Sequence, residues 1–180
     1  MHAAAKIYIK PNMTTLLLVR HGETVDNVNQ ILQGQTPGRL TACGEAQAEE
    51  VAVKMENEKI DVFVSRDLKR SVDTCRIIAR RHHAEVLTTP LLRERDWGSF
   101  TGRFIPDLKN AVWPDDIETL EAMKQRAAAF LQYVRDNFGG MVVMAVGHGI
   151  INKAVQSVYT GKPMNEIMKM GNAEVRKLVL

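Results

Sequence analysis

The chain predicts an α/β protein, a three-layer αβα sandwich with a mainly parallel central sheet. Two observations lead there. Short apolar, β-branched-containing runs alternate with helix-length segments along the chain, the pattern of a parallel sheet covered on both faces. Two of these runs, Thr15–Val19 and Met141–Val146, also end the same way, each delivering a histidine at a glycine-softened exit: Arg20-His21-Gly22 and Gly147-His148-Gly149. Ligands of open α/β sheets bind outside the carboxyl ends of the strands, so the two exits suggest a shared pocket.

Each element follows in order. After the first strand comes a polar loop, then Thr41 as the N-cap of a helix to about Asn57. A strand over 61–65 turns into a helix that continues to about His82. Four-residue spacing puts Arg66 with Arg70, and Arg70 with Thr74, on one face of that helix. A short strand, Glu85–Thr88, ends at Pro90, and residues 99–116 read as irregular, with Pro106, Pro114, Phe100, Phe104 and Trp113. Asp115 or Asp116 is expected to cap a long helix through Tyr133 to Asn137, stopped by Gly139-Gly140. The strand at 141–146, a helix from near Ile150 and a closing strand, Ala173–Leu180, complete the fold. Residues 1–13 read as an N-terminal extension and 14–180 as one domain with a short lid at about 99–123.

Composition fits a globular enzyme: 180 residues, 45% hydrophobic and 25% charged. A formal net charge of +3 without a run of five like charges argues against nucleic-acid binding. Arg76, Arg80 and Arg81 read as a solvated helix face. No membrane-length apolar segment or signal-peptide core is present, so no membrane association is expected. Cys43 and Cys75 form no CxxC spacing and no metal pattern; a reducing, cytoplasmic setting is the expectation.

The residues at the strand exits suit chemistry on an anion. Arg20 supplies a planar fork for phosphate or carboxylate, and His21 a nucleophile or base. Gly22 is expected to let the backbone approach a bound group. Following the third exit, Arg66 or Arg70 can reach back over the sheet edge. Glu94 stands between Arg93 and Arg95, just after an apolar pair.

Taken together, Leu-Val-Arg-His-Gly-Glu-Thr, Ser-x-x-Leu-x-Arg-x-x-x-Thr, Glu-x-x-x-Gly-x-x-x-Gly and Gly-His-Gly resemble the histidine phosphatase superfamily, the clan that includes cofactor-dependent phosphoglycerate mutases. The blocks occur in that family's order over residues 15–149. The resemblance implies that His21 is the nucleophile that becomes a phosphohistidine. It implies that Arg20, Arg70 and His148 bind the phosphoryl group, with Asn27 an additional contact, and that Glu94 is the proton donor. Arg66 is left as a surface residue or salt-bridge partner, because the motif's arginine aligns with Arg70. Two arginines and a second histidine supply positive donors to the equatorial oxygens, so no metal and no cofactor are expected. A nucleophilic imidazole also needs its other nitrogen donated to a fixed acceptor.

One loop departs from the family. Gly34-Gln35-Thr36-Pro37-Gly38-Arg39-Leu40-Thr41 lacks the usual acidic residue and gains an arginine. Between phosphatase and mutase, the interval decides: 54 positions separate Glu94 from His148, and a long helix and a strand consume most of them. Little remains for a lid that keeps water from a phosphoenzyme. The expected activity is therefore hydrolysis of a small phosphorylated metabolite, a phosphomonoester. The alternatives are a mutase-type phosphotransferase and a non-catalytic phosphate-binding module.

Overall fold

The computed structural model describes residues 13–180, so the expected extension, apart from Met13, lies outside the described residues. Five strands, β1 (Thr15–Arg20), β2 (Val62–Ser65), β3 (Val86–Thr88), β4 (Val142–Gly147) and β5 (Val175–Val179), form one sheet in the order β3-β2-β4-β1-β5. Four run parallel, and β5 closes the edge antiparallel to β1. The helices are α1 (Val25–Val28), α2 (Ala42–Met55), α3 (Lys69–Ala79), α4 (Leu120–Asn137) and α5 (Gly149–Thr160).

Interior strand β1 is apolar on both sides because both sides are covered. Leu16 and Leu18 pack with Phe130 and Leu131 of α4 and Ile151 of α5. Leu17 and Val19 face the other way, into a core with Val51 of α2 and Ile78 of α3. In α4 the buried residues Met123, Ala127, Phe130, Leu131 and Val134 recur three or four apart, one stripe of the helix. Neighbouring β1 and β4 thus send their following helices, α2 and α5, to opposite faces. Their carboxyl ends open a crevice between the diverging connections. In register, Arg20 pairs with Gly147 and Ser65 with Val146, so three strand exits stand side by side.

Two local expectations are corrected. The cap of α4 is Thr119, whose Oγ1 accepts from the Ala122 N–H at 3.1 Å. Asp116 instead accepts from the Ser99 N–H at 2.8 Å, and buried Ile117 turns the chain inward before the helix begins. Second, α3 starts only at Lys69, and the Arg66 N–H still donates to Val146 O at 3.3 Å, continuing the sheet. Arg66 and Arg70 therefore share no helix face. Arg70 and Thr74 do, the Thr74 hydroxyl donating to Arg70 O at 2.8 Å.

Candidate active site

Exit from adjacent strands brings His21 and His148 together, ring centroids 4.9 Å apart in an edge-on arrangement. Both are buried. The His21 Nδ1 lies 2.7 Å from the carbonyl oxygen of Gly22. Donation there puts the proton on Nδ1 and leaves Nε2 with its lone pair. Burial, and then the Arg70 charge, push the His21 pKa down to about 3, with the Gly22 hydrogen bond opposing them. Burial and Arg70 also hold His148 well below the usual histidine range. Both rings are neutral at physiological pH.

Around this pair stand three guanidinium groups. Arg20 anchors one nitrogen on the Met170 carbonyl at 2.8 Å, while its buried Nε has no protein acceptor. Arg70, from α3, donates through Nε to His148 Nδ1 at 3.3 Å and through its other nitrogens to the carbonyls of Gly34, Thr36 and Pro37. The departing loop is thus folded onto the Arg70 fork by main-chain oxygens, which require no acidic side chain. Burial lowers the Arg70 pKa to about 10, which still leaves it charged.

The third is Arg66, and here the surface reading is overturned. Its side chain is 1% exposed, with one terminal nitrogen 3.2 Å from His148 Nε2 and another donating to Gln35 O at 3.4 Å. It also forms a salt bridge with Asp67, at 3.5 Å from Nε. The reason is the late start of α3: as the last extended residue, Arg66 projects over the sheet end rather than outward along a helix. Its position directly after a strand was the signal; the motif alignment to Arg70 hid it.

Glu94 is held by three backbone donors. Its oxygens accept from the N–H groups of Arg95 at 2.9 Å, Ile150 at 3.1 Å and Ile151 at 3.1 Å. The last two belong to the first turn of α5, whose N-cap, His148, makes no side-chain cap. The carboxylate is therefore both a pocket wall and the cap of α5. A cavity of about 160 Å³ is lined by Arg20, His21, Asn27, Arg70 and Glu94, with Gln33, Trp97, Ile105 and Lys169. Of the residues singled out from sequence, Asn27 lines the pocket while its Oδ1 accepts from Thr24 N–H in a capping box.

Gly22 serves a different purpose from the one expected. A Cβ there would lie 2.3 Å from Gly44 O, and one on Gly44 2.0 Å from Glu23 O. The close approach is between the strand exit and α2, backbone to backbone. Thr74 completes the mooring, its Oγ1 accepting from the Gly22 N–H at 3.1 Å.

Sequence reading also missed Asn172, which donates to His21 O at 3.1 Å, and Asn152, which donates to Val19 O at 2.9 Å. Both are distant in sequence from what they hold, and no local pattern marks them. Arg80 and Arg81 lie on the surface and pair with Glu49 of α2. Cys43 is exposed and Cys75 buried, and both are free thiols. Among the described residues no helix is long and apolar enough to cross a membrane. No described group of three or more His, Cys, Asp or Glu residues is arranged to hold a metal.

A crevice at the strand ends, with two buried imidazoles, three guanidinium groups and one carboxylate gathered around it, suits the binding of an anion. The chain belongs to the histidine phosphatase superfamily (branch 1), whose sequence pattern matches residues 16–180. It is 32% identical over 166 residues to an uncharacterized phosphatase, PhoE, of Bacillus subtilis, covering 89% of this chain and 86% of that one. It is likewise 32% identical over 165 residues to a probable phosphoglycerate mutase, GpmB, of Yersinia enterocolitica, covering 84% and 77%. Among solved structures, a mycobacterial glucosyl-3-phosphoglycerate phosphatase superposes with a TM-score of 0.82 at 24% identity, over 93% of this chain and 90% of the other. A phosphoserine phosphatase variant from Entamoeba histolytica, in complex with phosphoserine, also gives 0.82, at 23% identity over 91% and 89%. These two establish the shared fold.

Proposed function

We propose that the protein is a phosphatase that hydrolyses a small-molecule phosphomonoester in the cytoplasm, through a phosphohistidine on His21. The observation that carries this reading is the state of the His21 ring. Its Nδ1 is committed to Gly22 O at 2.7 Å, so Nε2 offers a lone pair beside Arg20 and Arg70 in the same pocket. Nε2 attacks phosphorus, the P–O bond to the leaving group breaks, and the departing oxygen takes a proton from Glu94. Water then attacks the phosphohistidine and Glu94 takes back a proton, releasing inorganic phosphate. Arg20 and Arg70 meet the charge on the equatorial oxygens, with Asn27 beside them and His148 accepting from the Arg70 Nε behind, so the transfer needs no metal.

Hydrolysis is favoured over mutase chemistry by the rim. Phe100 is spent on the core, and Ile105, which borders the cavity, is about half exposed. Water therefore has a route to the phosphoenzyme. The second reading, a mutase-type phosphotransferase, is favoured by relatives such as that of Yersinia. A non-catalytic phosphate-binding module is the weaker reading because Arg20, His21, Arg70, Glu94 and His148 are all present.

Rapid quenching with a radiolabelled ester should trap an acid-labile, base-stable adduct on His21, with phosphate as product and His21→Ala inactive. An adduct on His148, or a wild-type rate in His21→Ala, overturns the assignment. Isomerisation of a phosphoglycerate faster than its hydrolysis would establish the mutase instead.

A further inference from the structure

Arg66 is a buried cation that the reaction above leaves without a task. Taking a guanidinium out of water costs several kcal/mol unless strong partners meet it. Here the partners are poor. Its Nε has no hydrogen-bond acceptor, and Asp67, at 3.5 Å, is already gripped through both oxygens by Arg93 at 3.2 and 2.5 Å. What the guanidinium does meet is His148.

An arginine can only donate. Arg70 donates to His148 Nδ1 at 3.3 Å, which places the single proton of the neutral ring on Nε2, where Ser71 Oγ at 3.0 Å accepts it. The Arg66 nitrogen at 3.2 Å stands against that same Nε2. A turn of the ring to either side meets a cation, and a second proton would place an imidazolium between two guanidinium groups. We infer that Arg66 is a positioning residue for phosphoryl transfer, acting through His148: its charge beside Nε2, with that of Arg70 beside Nδ1, keeps the imidazole from taking a second proton, so that Nδ1 stays free to accept from Arg70. The kinetic consequence rests on the proposed phosphatase reading; the state of the His148 ring does not.

Every charged or titratable group facing His148 bears on this test. They are Arg20 and His21 from the end of β1, Arg66 from the end of β2 and Arg70 from α3, with Glu94, from the loop before α4, capping the first turn of α5 that follows His148. Only the Arg66 charge is removed in Arg66→Met, so His148 should take its proton more readily. Its imidazole resonance should titrate about one pH unit higher than in the wild type. Turnover of an aryl phosphate should fall about 10–100-fold in kcat with a smaller change in KM, because the ring is no longer held in place. Arg66→Lys keeps the charge and should restore the wild-type midpoint. Should Arg66→Met not fold, Arg66→Gln, neutral and still able to donate to Gln35 O, carries the same reading. A folded neutral variant whose His148 titrates as in the wild type overturns the inference, whatever its kcat. If the wild type hydrolyses no ester at all, the phosphatase reading fails, and the titration alone still decides the role of Arg66.

Discussion

Glu94 caps α5 and, on the proposed mechanism, also protonates the leaving group; the two tasks can be separated by experiment. In Glu94→Gln an amide nitrogen must face one of the three backbone N–H groups that the carboxylate now accepts, at a cost of roughly 1–3 kcal/mol. Some stability is therefore lost whatever the chemistry. If Glu94 also protonates the leaving oxygen, esters with poor leaving groups should slow by about 10²–10⁴-fold, and activated aryl phosphates far less. Equal losses for both would leave only the cap. The guanidinium groups of Arg20 and Arg70 in the pocket support a second prediction: activity should survive chelator treatment and exhaustive dialysis, if their charge does the work of a divalent ion. Loss on chelation, with rescue by one specific ion, would contradict that.

Two connecting elements shape the rim of the His21 pocket. The loop at Gly34–Pro37 turns its carbonyls onto Arg70, and the segment after Glu94 is tied to the chain following α1, with Leu32 N–H donating to Arg103 O at 2.9 Å. Within the expected lid, Phe100 and Met123 are core residues, while Phe104 and Trp113 are exposed. Trp113 packs edge-on against Trp97 at 5.9 Å and Phe100 at 6.0 Å, and Arg95 lies over Trp97 at 4.7 Å. An apolar hollow there shares Leu32, Trp97 and Ile105 with the His21 pocket. Contacts remote from phosphorus set which ester is turned over. Trp113→Ala and Phe104→Ala should therefore reorder a substrate panel while inorganic phosphate inhibits as before. One common factor across the panel, or loss of stability alone, would assign this segment to the core.

At the scale of the molecule, two neutral buried histidines make stability depend on pH. His21 titrates near 6.5 when unfolded and at about 3 when folded, because of burial and the Arg70 charge, and His148 is shifted in the same direction. As pH falls below 6.5 the unfolded chain binds protons that the native state refuses, so stability present above that pH is progressively lost toward pH 3. Each histidine contributes up to about 1.4 kcal/mol per pH unit. Urea midpoints should therefore decline from about pH 7 to 4.5, and more gently in His21→Asn. A flat profile, or an unchanged slope in the variant, would show that burial does not keep these rings neutral.

The sequence by itself determined the sandwich, the order of its strands and helices, and the residues His21, Arg20, Arg70, Glu94 and His148 as one group. The elements were legible because continuous apolar runs and capping hydroxyls are local signals, and Thr41 caps α2 as read; His21 and His148 stand at strand exits, whereas Arg70 and Glu94 joined them only through the family resemblance. Only the tertiary structure decided the rest. Whether Asp116 or Thr119 caps α4 depended on Ser99 capturing the aspartate, and the need for Gly22 came from Gly44, across the turn to α2. Arg66 looked like any solvated arginine until the delayed start of α3 and the pairing of β2 with β4 carried it against His148. A side chain's burial and partners follow from which strands become neighbours, and that is a property of the assembled sheet rather than of any window of sequence.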